Sequence, residues 1–185
     1  MDREKLKQAA ALILEAVGQD GRDGTKETPE RFAKMMEERL AYAGVSNEEI
    51  AKEFDKVFPC DDGNMVVVKD IDVFSFCEHH IALMYDMRIA IGYIPKGCVI
   101  GLSKLARIAD AVCRRLQLQE RIGADIYDVL RRIVKTDDII VCIQGEHSCM
   151  TARGIKKPGS QTRTLYAGGV FDDPLRRNEF FNLIR

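Results

Sequence analysis

Cys77-Glu78-His79-His80 sets a thiol and an imidazole three positions apart, and His147-Ser148-Cys149 sets a second such pair two apart. Sulfur with imidazole nitrogen is a donor set that suits zinc, whereas magnesium and calcium favour oxygen. Cys77, one of the two adjacent histidines and Cys149 would supply three ligands and leave a fourth position to water, the arrangement of a catalytic centre. The same spacing is met by a closed structural site with His147 as fourth ligand, and by packing cysteines beside surface histidines. Spacing does not separate the three. The concentration is unusual all the same: the chain has three histidines, and each lies within three positions of a cysteine. Cys60, Cys98, Cys113 and Cys142 read as packing residues, two of them within apolar elements.

Basic residues are segregated around these pairs. Between 103 and 121, Lys104, Arg107, Arg114, Arg115 and Arg121 face only Asp110 and Glu120; between 151 and 163, Arg153, Lys156, Lys157 and Arg163 face no acid. Ser103, Lys104 and Arg107 at a helix start suit a phosphate, because free N–H groups, the helix dipole and cations one turn apart converge there. A solvated helix face with subunit-contact arginines fits the composition as well. Glu120 beside Gln119 can accept two hydrogen bonds from a guanine edge, although an ordinary exposed carboxylate fits equally.

The elements that must position these groups change period along the chain. Residues 3–17 carry apolar side chains at helical spacing, with Gly18 as a stop. Thr28-Pro29 reads as an N-cap and first helical residue, with Phe32, Met35, Met36 and Leu40 as the apolar face. Ser46 with Glu49 forms a capping box opening a helix with Ile50, Phe54 and Val57. From residue 65 the pattern turns to strands: 65–68, then Tyr85, Met87, Ile89, Ile91 and Tyr93 alternating with a less apolar face, broken at Pro95-Lys96-Gly97. Ser103 reads as the cap of a helix bearing Leu105, Ile108, Ala109, Val112 and Leu116. A second helix carries Leu118 to Ile133. Strands follow at 139–143, 148–155 and 161–169, then a helix at 178–184. Three helices, two strands, two helices, further strands and a last helix make an α+β chain. A helical region over 1–60 and a sheet-bearing region over 61–185 are expected.

The whole chain of 185 residues has 28 Lys plus Arg against 29 Asp plus Glu, a net charge of −1, which disfavours binding to nucleic acid or a membrane surface through bulk charge. No apolar run approaches a bilayer span. The N-terminus Met1-Asp2-Arg3-Glu4-Lys5 is charged and leads into an amphipathic pattern, unlike a signal peptide. A cytoplasmic protein with reduced thiols is expected.

Taken in order, Thr28-Pro29-Glu30-Arg31-Phe32-Ala33-Lys34, Cys77-Glu78-His79-His80, Gly101-Leu102-Ser103-Lys104-Leu105-Ala106-Arg107-Ile108, Arg115-Leu116-Gln117-Leu118-Gln119-Glu120-Arg121, His147-Ser148-Cys149-Met150 with Arg153-Gly154, and Gly168-Gly169-Val170-Phe171 closely resemble GTP cyclohydrolase I over residues 20 to 183. The resemblance implies a T-fold, an antiparallel sheet with a helix pair between its strand pairs, and a toroidal homodecamer with active sites at subunit junctions. It implies zinc held by Cys77, His80 and Cys149, and catalytic roles for His79 and His147. It also implies triphosphate contacts from Arg31, Lys34, Ser103, Lys104, Arg107 and Arg153, and guanine contacts from Gln119 and Glu120. The implied reaction turns GTP and water into 7,8-dihydroneopterin triphosphate and formate, the entry to folate or pterin synthesis. Two alternatives are another T-fold enzyme acting on a purine or pterin, and a zinc-stabilised oligomer that binds nucleotide without turnover. One segment departs from the family pattern: after the double histidine, where relatives carry a proline and soon a glycine, this chain has Ile81-Ala82-Leu83-Met84-Tyr85-Asp86.

Overall fold

A computed structural model describes residues 1–60 and 62–185. The chain divides into two compact units, Met1–Ala41 and Tyr42–Arg185. In the first, α1 (Arg3–Ala16) packs on α2 (Thr28–Arg39). Asp2 caps α1 by accepting from the Lys5 N–H at 3.1 Å. Gly18, at φ +63°, ends it, with the Gly18 and Gln19 N–H groups returning to Glu15 and Leu14; glycine takes that left-handed position without strain. Thr28 is the first helical residue and not the expected cap. Glu27 holds the cap position without a side-chain bond, because a first-turn N–H needs no intrahelical partner and proline is tolerated one position further in. Ala33, Met36 and Leu40 are buried, whereas Met35 is exposed.

The second unit runs α3 (Asn47–Phe54), β1 (Val57–Cys60), β2 (Val66–Cys77), β3 (Ala82–Tyr93), β4 (Gly97–Ile100), α4 (Leu102–Cys113), β5 (Leu116–Gln117), α5 (Gln119–Val134), β6 (Ile139–His147), α6 (Ser148–Thr151), β7 (Gln161–Ala167) and α7 (Pro174–Ile184). The capping box opens α3: Ser46 Oγ accepts from Glu49 N at 3.2 Å while Ser46 N donates to Glu49 Oε2 at 2.8 Å. Such a cap contributes about 1 kcal/mol. Val57 and Leu116 do not join the helix faces assigned to them; each lies in a short strand, β1 and β5. Ser103 does not cap α4, whose N-cap is Gly101. Residues 148–151 are helical instead of extended.

Among the described residues β1 pairs with β4, and the larger sheet has the order β5-β2-β3-β6-β7, antiparallel except for the short β2–β5 pairing. In chain order α4 and α5 stand between the β2–β3 and β6–β7 pairs, so the α+β T-fold expectation holds. One sheet face, with Met87, Ile89, Ile91, Tyr93, Ile139, Val141 and Ile143, packs under α3, α4 and α5. The other, with Ala90 and Ile140, packs on Phe171 and Phe180 of the C-terminal segment. A cavity of about 610 Å³ lies on that second side, lined in part by Lys69, Arg88, Cys142 and Phe181.

Strict alternation fails at one place that matters. Asp86, at φ +47°, is an extra residue in β3 against both neighbours, since Val73 and Ser75 face Met87 and Met84 on one side, and Tyr85 and Arg88 face Glu146 and Gln144 on the other. Beyond this bulge Met84, not Tyr85, is the fully buried residue. The departure from the family pattern thus contains a left-handed residue at each end, Ile81 (φ +49°) and Asp86. Aspartate tolerates that conformation, while β-branched isoleucine is strained by about 1–2 kcal/mol. Ile81 is 54% exposed and loses little packing on replacement. Ile81→Asn is therefore expected to stabilise by about 1 kcal/mol, a rise of about 3 °C in thermal midpoint; a lowered midpoint would show that the isoleucine contacts outweigh the strain.

Candidate metal and active site

Cys77 ends β2, His80 sits in the turn that follows, and Cys149 is the second residue of α6 directly after β6. One donor atom from each lies within 4.8 Å of the other two. Tetrahedral ligands about 2.0–2.3 Å from an ion stand roughly 3.5–4 Å apart, so two sulfurs and one imidazole nitrogen fit a zinc-type ion with a fourth position left over. His80, and not its neighbour His79, belongs to the group. The His79 ring stands edge-on to it with centroids 6.3 Å apart. Burial pushes the Cys149 thiol above its ordinary pKa, and the adjacent Cys77 adds to the rise.

The turn is fastened from several sides. Glu78 N donates to Gln117 O at 3.1 Å, joining Cys77 to β5. Gln117 in turn donates to Asp125 at 2.9 Å and to Val112 O at 3.2 Å, and Arg115 donates to Asn47 and Asp125 at 2.9 and 3.3 Å. Arg121 pairs with Glu78 at 2.6 Å. That pair is half exposed and adds little stability alone, yet it ties the histidine turn to α5. Across the site Ser148 Oγ donates to Leu83 O at 2.8 Å, and Tyr85 OH meets Glu146 and Thr151 at 3.0 and 2.9 Å, holding α6 against β3.

His147 ends β6 on the same face as Ile143 and Gly145, the face α5 covers. Its Nε2 lies 2.8 Å from Gln119 Oε1. Burial lowers its pKa, and the Glu120 carboxylate opposes that shift. Glu120 is exposed and lines a hollow of about 250 Å³ with Gly123, Thr164, Leu165 and Tyr166. Arg153 donates to His80 Nε2 at 2.6 Å.

The model of the GTP cyclohydrolase I family matches residues 6–185. The chain belongs to the GTP cyclohydrolase I family. A GTP cyclohydrolase 1 of Clostridium botulinum (strain Kyoto / Type A2) is 50% identical, across 99% of this chain and 97% of that protein. The GTP cyclohydrolase 1 of Clostridium acetobutylicum is 51% identical, across 95% and 94%. A crystal structure of an archaeosine synthase QueF-Like in the apo form is 18% identical with a TM-score of 0.47, covering 59% of this chain and 98% of that one.

In this GTP cyclohydrolase I family chain the residues singled out from sequence fall into separate groups. Cys77, His80, Cys149 and Arg153 come together, as do His147, Gln119 and Glu120. Ser103, Lys104 and Arg107 form another group in the first turns of α4, which carry no acidic residue. Ser103 and Arg107 are exposed, and Lys104 Nζ stands 5.6 Å from the Phe54 ring centroid. Arg31 and Lys34 are exposed on α2 in the first unit, with Arg31 paired to Glu27 at 2.6 Å. The supporting residues Glu78, Tyr85, Gln117 and Ser148 were not singled out from sequence; Glu78, Tyr85 and Ser148 find partners 39 to 66 positions away, and Gln117 joins Glu78 to Val112 and Asp125 on the flanking helices, contacts that no local spacing signals. Cys113 is fully enclosed, and burial drives its thiol far above the ordinary range, which fits packing. Among the described residues no helix is long and apolar enough to cross a membrane.

Proposed function

We propose that this chain converts GTP and water to 7,8-dihydroneopterin triphosphate and formate, in the cytoplasm and as a homodecamer, with residues 61–185 as the catalytic region. The observation that carries the reading is the convergence of Cys77, His80 and Cys149 in a chain of this family. These three would hold zinc, which supplies Lewis-acid character and activates water near neutral pH. His147 moves a proton at nitrogen-7 of the guanine as its imidazole ring is opened. His79, exposed beside the metal group, serves the ribose ring oxygen, where an imidazole can both give and take a proton. Glu120 accepts from the guanine ring N–H and exocyclic amine. Zinc-dependent release of formate from GTP tests the reading; nucleotide binding without formate would favour the non-catalytic oligomer.

Arg31, Lys34, Ser103, Lys104, Arg107 and Arg153 are assigned to the triphosphate. The Arg153 contact supports its share of that role. A neutral imidazole that accepts at Nε2 carries its proton on Nδ1, so His80 serving as a metal ligand would release Arg153 and leave its guanidinium for an anion. Lys104→Ala and Arg153→Ala are expected to weaken GTP about tenfold or more while changing guanosine affinity less than about twofold, since charge-assisted bonds contribute about 1.5–3 kcal/mol. Equal losses for both ligands, measured by equilibrium titration, would remove these cations from the triphosphate site.

A further inference from the structure

Gln119 is 1% exposed, and the family resemblance assigns it to the guanine, yet its amide is already engaged. Nε2 donates to Thr162 O at 3.0 Å, and contacts Ile143 O and Thr164 Oγ1 at 3.4 Å. Turned end for end, the amide would set its oxygen against two backbone carbonyls, so the surrounding strands fix its orientation. Thr162 and Thr164 come from β7, opposite Gly145 and Ile143 of β6. Gly145 completes the niche: a Cβ there would come within 2.7 Å of Met87 Cγ and 3.5 Å of Gln119 Oε1. Oε1 therefore faces His147 Nε2 at 2.8 Å. A carboxamide oxygen only accepts, so the imidazole must donate.

We propose that Gln119 is a positioning residue that acts through His147, fixing the neutral ring in its Nε2–H tautomer, and that it does not read the base. The proposal rests on the reading of His147 as a proton carrier in GTP turnover. Held this way, neutral His147 has Nδ1 bare. Nδ1 is then the one ring nitrogen open to a partner, which is the nitrogen the proposed role of His147 requires. The Nε2–H bond to the anchored Gln119 sets the ring plane and keeps Nε2 engaged.

A double-mutant cycle separates this role from base reading. Gln119→Leu is expected to lower kcat for GTP about 10- to 100-fold, with KM within about twofold and zinc retained. In a His147→Ala background the same change should alter kcat less than about twofold. Losses that multiply, or a raised KM together with lost preference for GTP over ITP, would overturn the proposal. Gln119→Met, equal in length and without the amide, takes the place of Gln119→Leu if the latter fails to hold zinc. A second readout needs no turnover. With three histidines in the chain, ring-¹⁵N labelling should show a protected Nε2–H that vanishes in both His147→Ala and the Gln119 variant. Its absence from the wild-type protein would also overturn the proposal, whereas failure of the GTP reading itself would appear as wild-type protein that releases no formate.

Discussion

Cys149→Ala is expected to carry no zinc and to lose GTP turnover by more than about 10³-fold, because water away from a metal keeps a pKa of about 15.7 instead of one near 7. The geometry makes the loss severe. Cys77 and Cys149 come from the ends of different strands and meet His80 within 4.8 Å, and two remaining ligands cannot close a three-point site. The wild-type protein, purified reduced, should contain about one zinc per chain by elemental analysis, and Cys77→Ala and His80→Ala should behave like Cys149→Ala. A Cys149→Ala protein with full zinc and full formate release would remove the centre from the mechanism. The two Sγ atoms lie within 4.8 Å of each other, so zinc loss under oxidising conditions should cross-link them and inactivate the protein, with reductant plus zinc restoring turnover.

Glu120→Ala is expected to lose GTP turnover while keeping zinc and assembly, and ATP should be a ligand poorer than GTP by on the order of 10⁴-fold. Guanine offers two parallel donors, its ring N–H and exocyclic amine, to one carboxylate. Adenine has no such pair on that edge, and a carboxylate enclosed against it is left without partners. Glu120 is exposed beside a hollow shared with Thr164 and Tyr166, on the first turn of α5 and next to the anchored Gln119. Its backbone is held firmly while its side chain remains accessible. Glu120→Gln isolates the charge, since an amide presents one donor against a donor. Wild-type turnover and affinity in Glu120→Gln would reduce Glu120 to an ordinary helix carboxylate.

The helices and central strands were legible because their signals are local. The Ser46–Glu49 box, the Gly18 stop, the α5 stripe from Ile122 to Ile133 and the alternation from Met87 to Tyr93 each follow from backbone geometry over a few residues. The clustering of histidine beside cysteine likewise marked a candidate metal site from residue types alone. Local spacing could not choose between His79 and His80, nor tell an open site from a closed one. The grouping of His80 rather than His79 with the two cysteines depends on how the turn after β2 meets α6, which periodicity does not show. Tertiary structure decided the rest. Strands β1 and β5 carry too few residues to show a period, and exist because β4 and β2 offer them hydrogen-bonding partners. Tyr85 leaves the core face because a bulge at Asp86 shifts the pleat, and a one-residue shift exchanges the two faces of a strand. Gln119 reads from sequence as one polar residue beside another. It becomes the holder of His147 only when β6 and β7 close over it, since a buried amide must satisfy its donors and its acceptor with whatever the fold brings within reach.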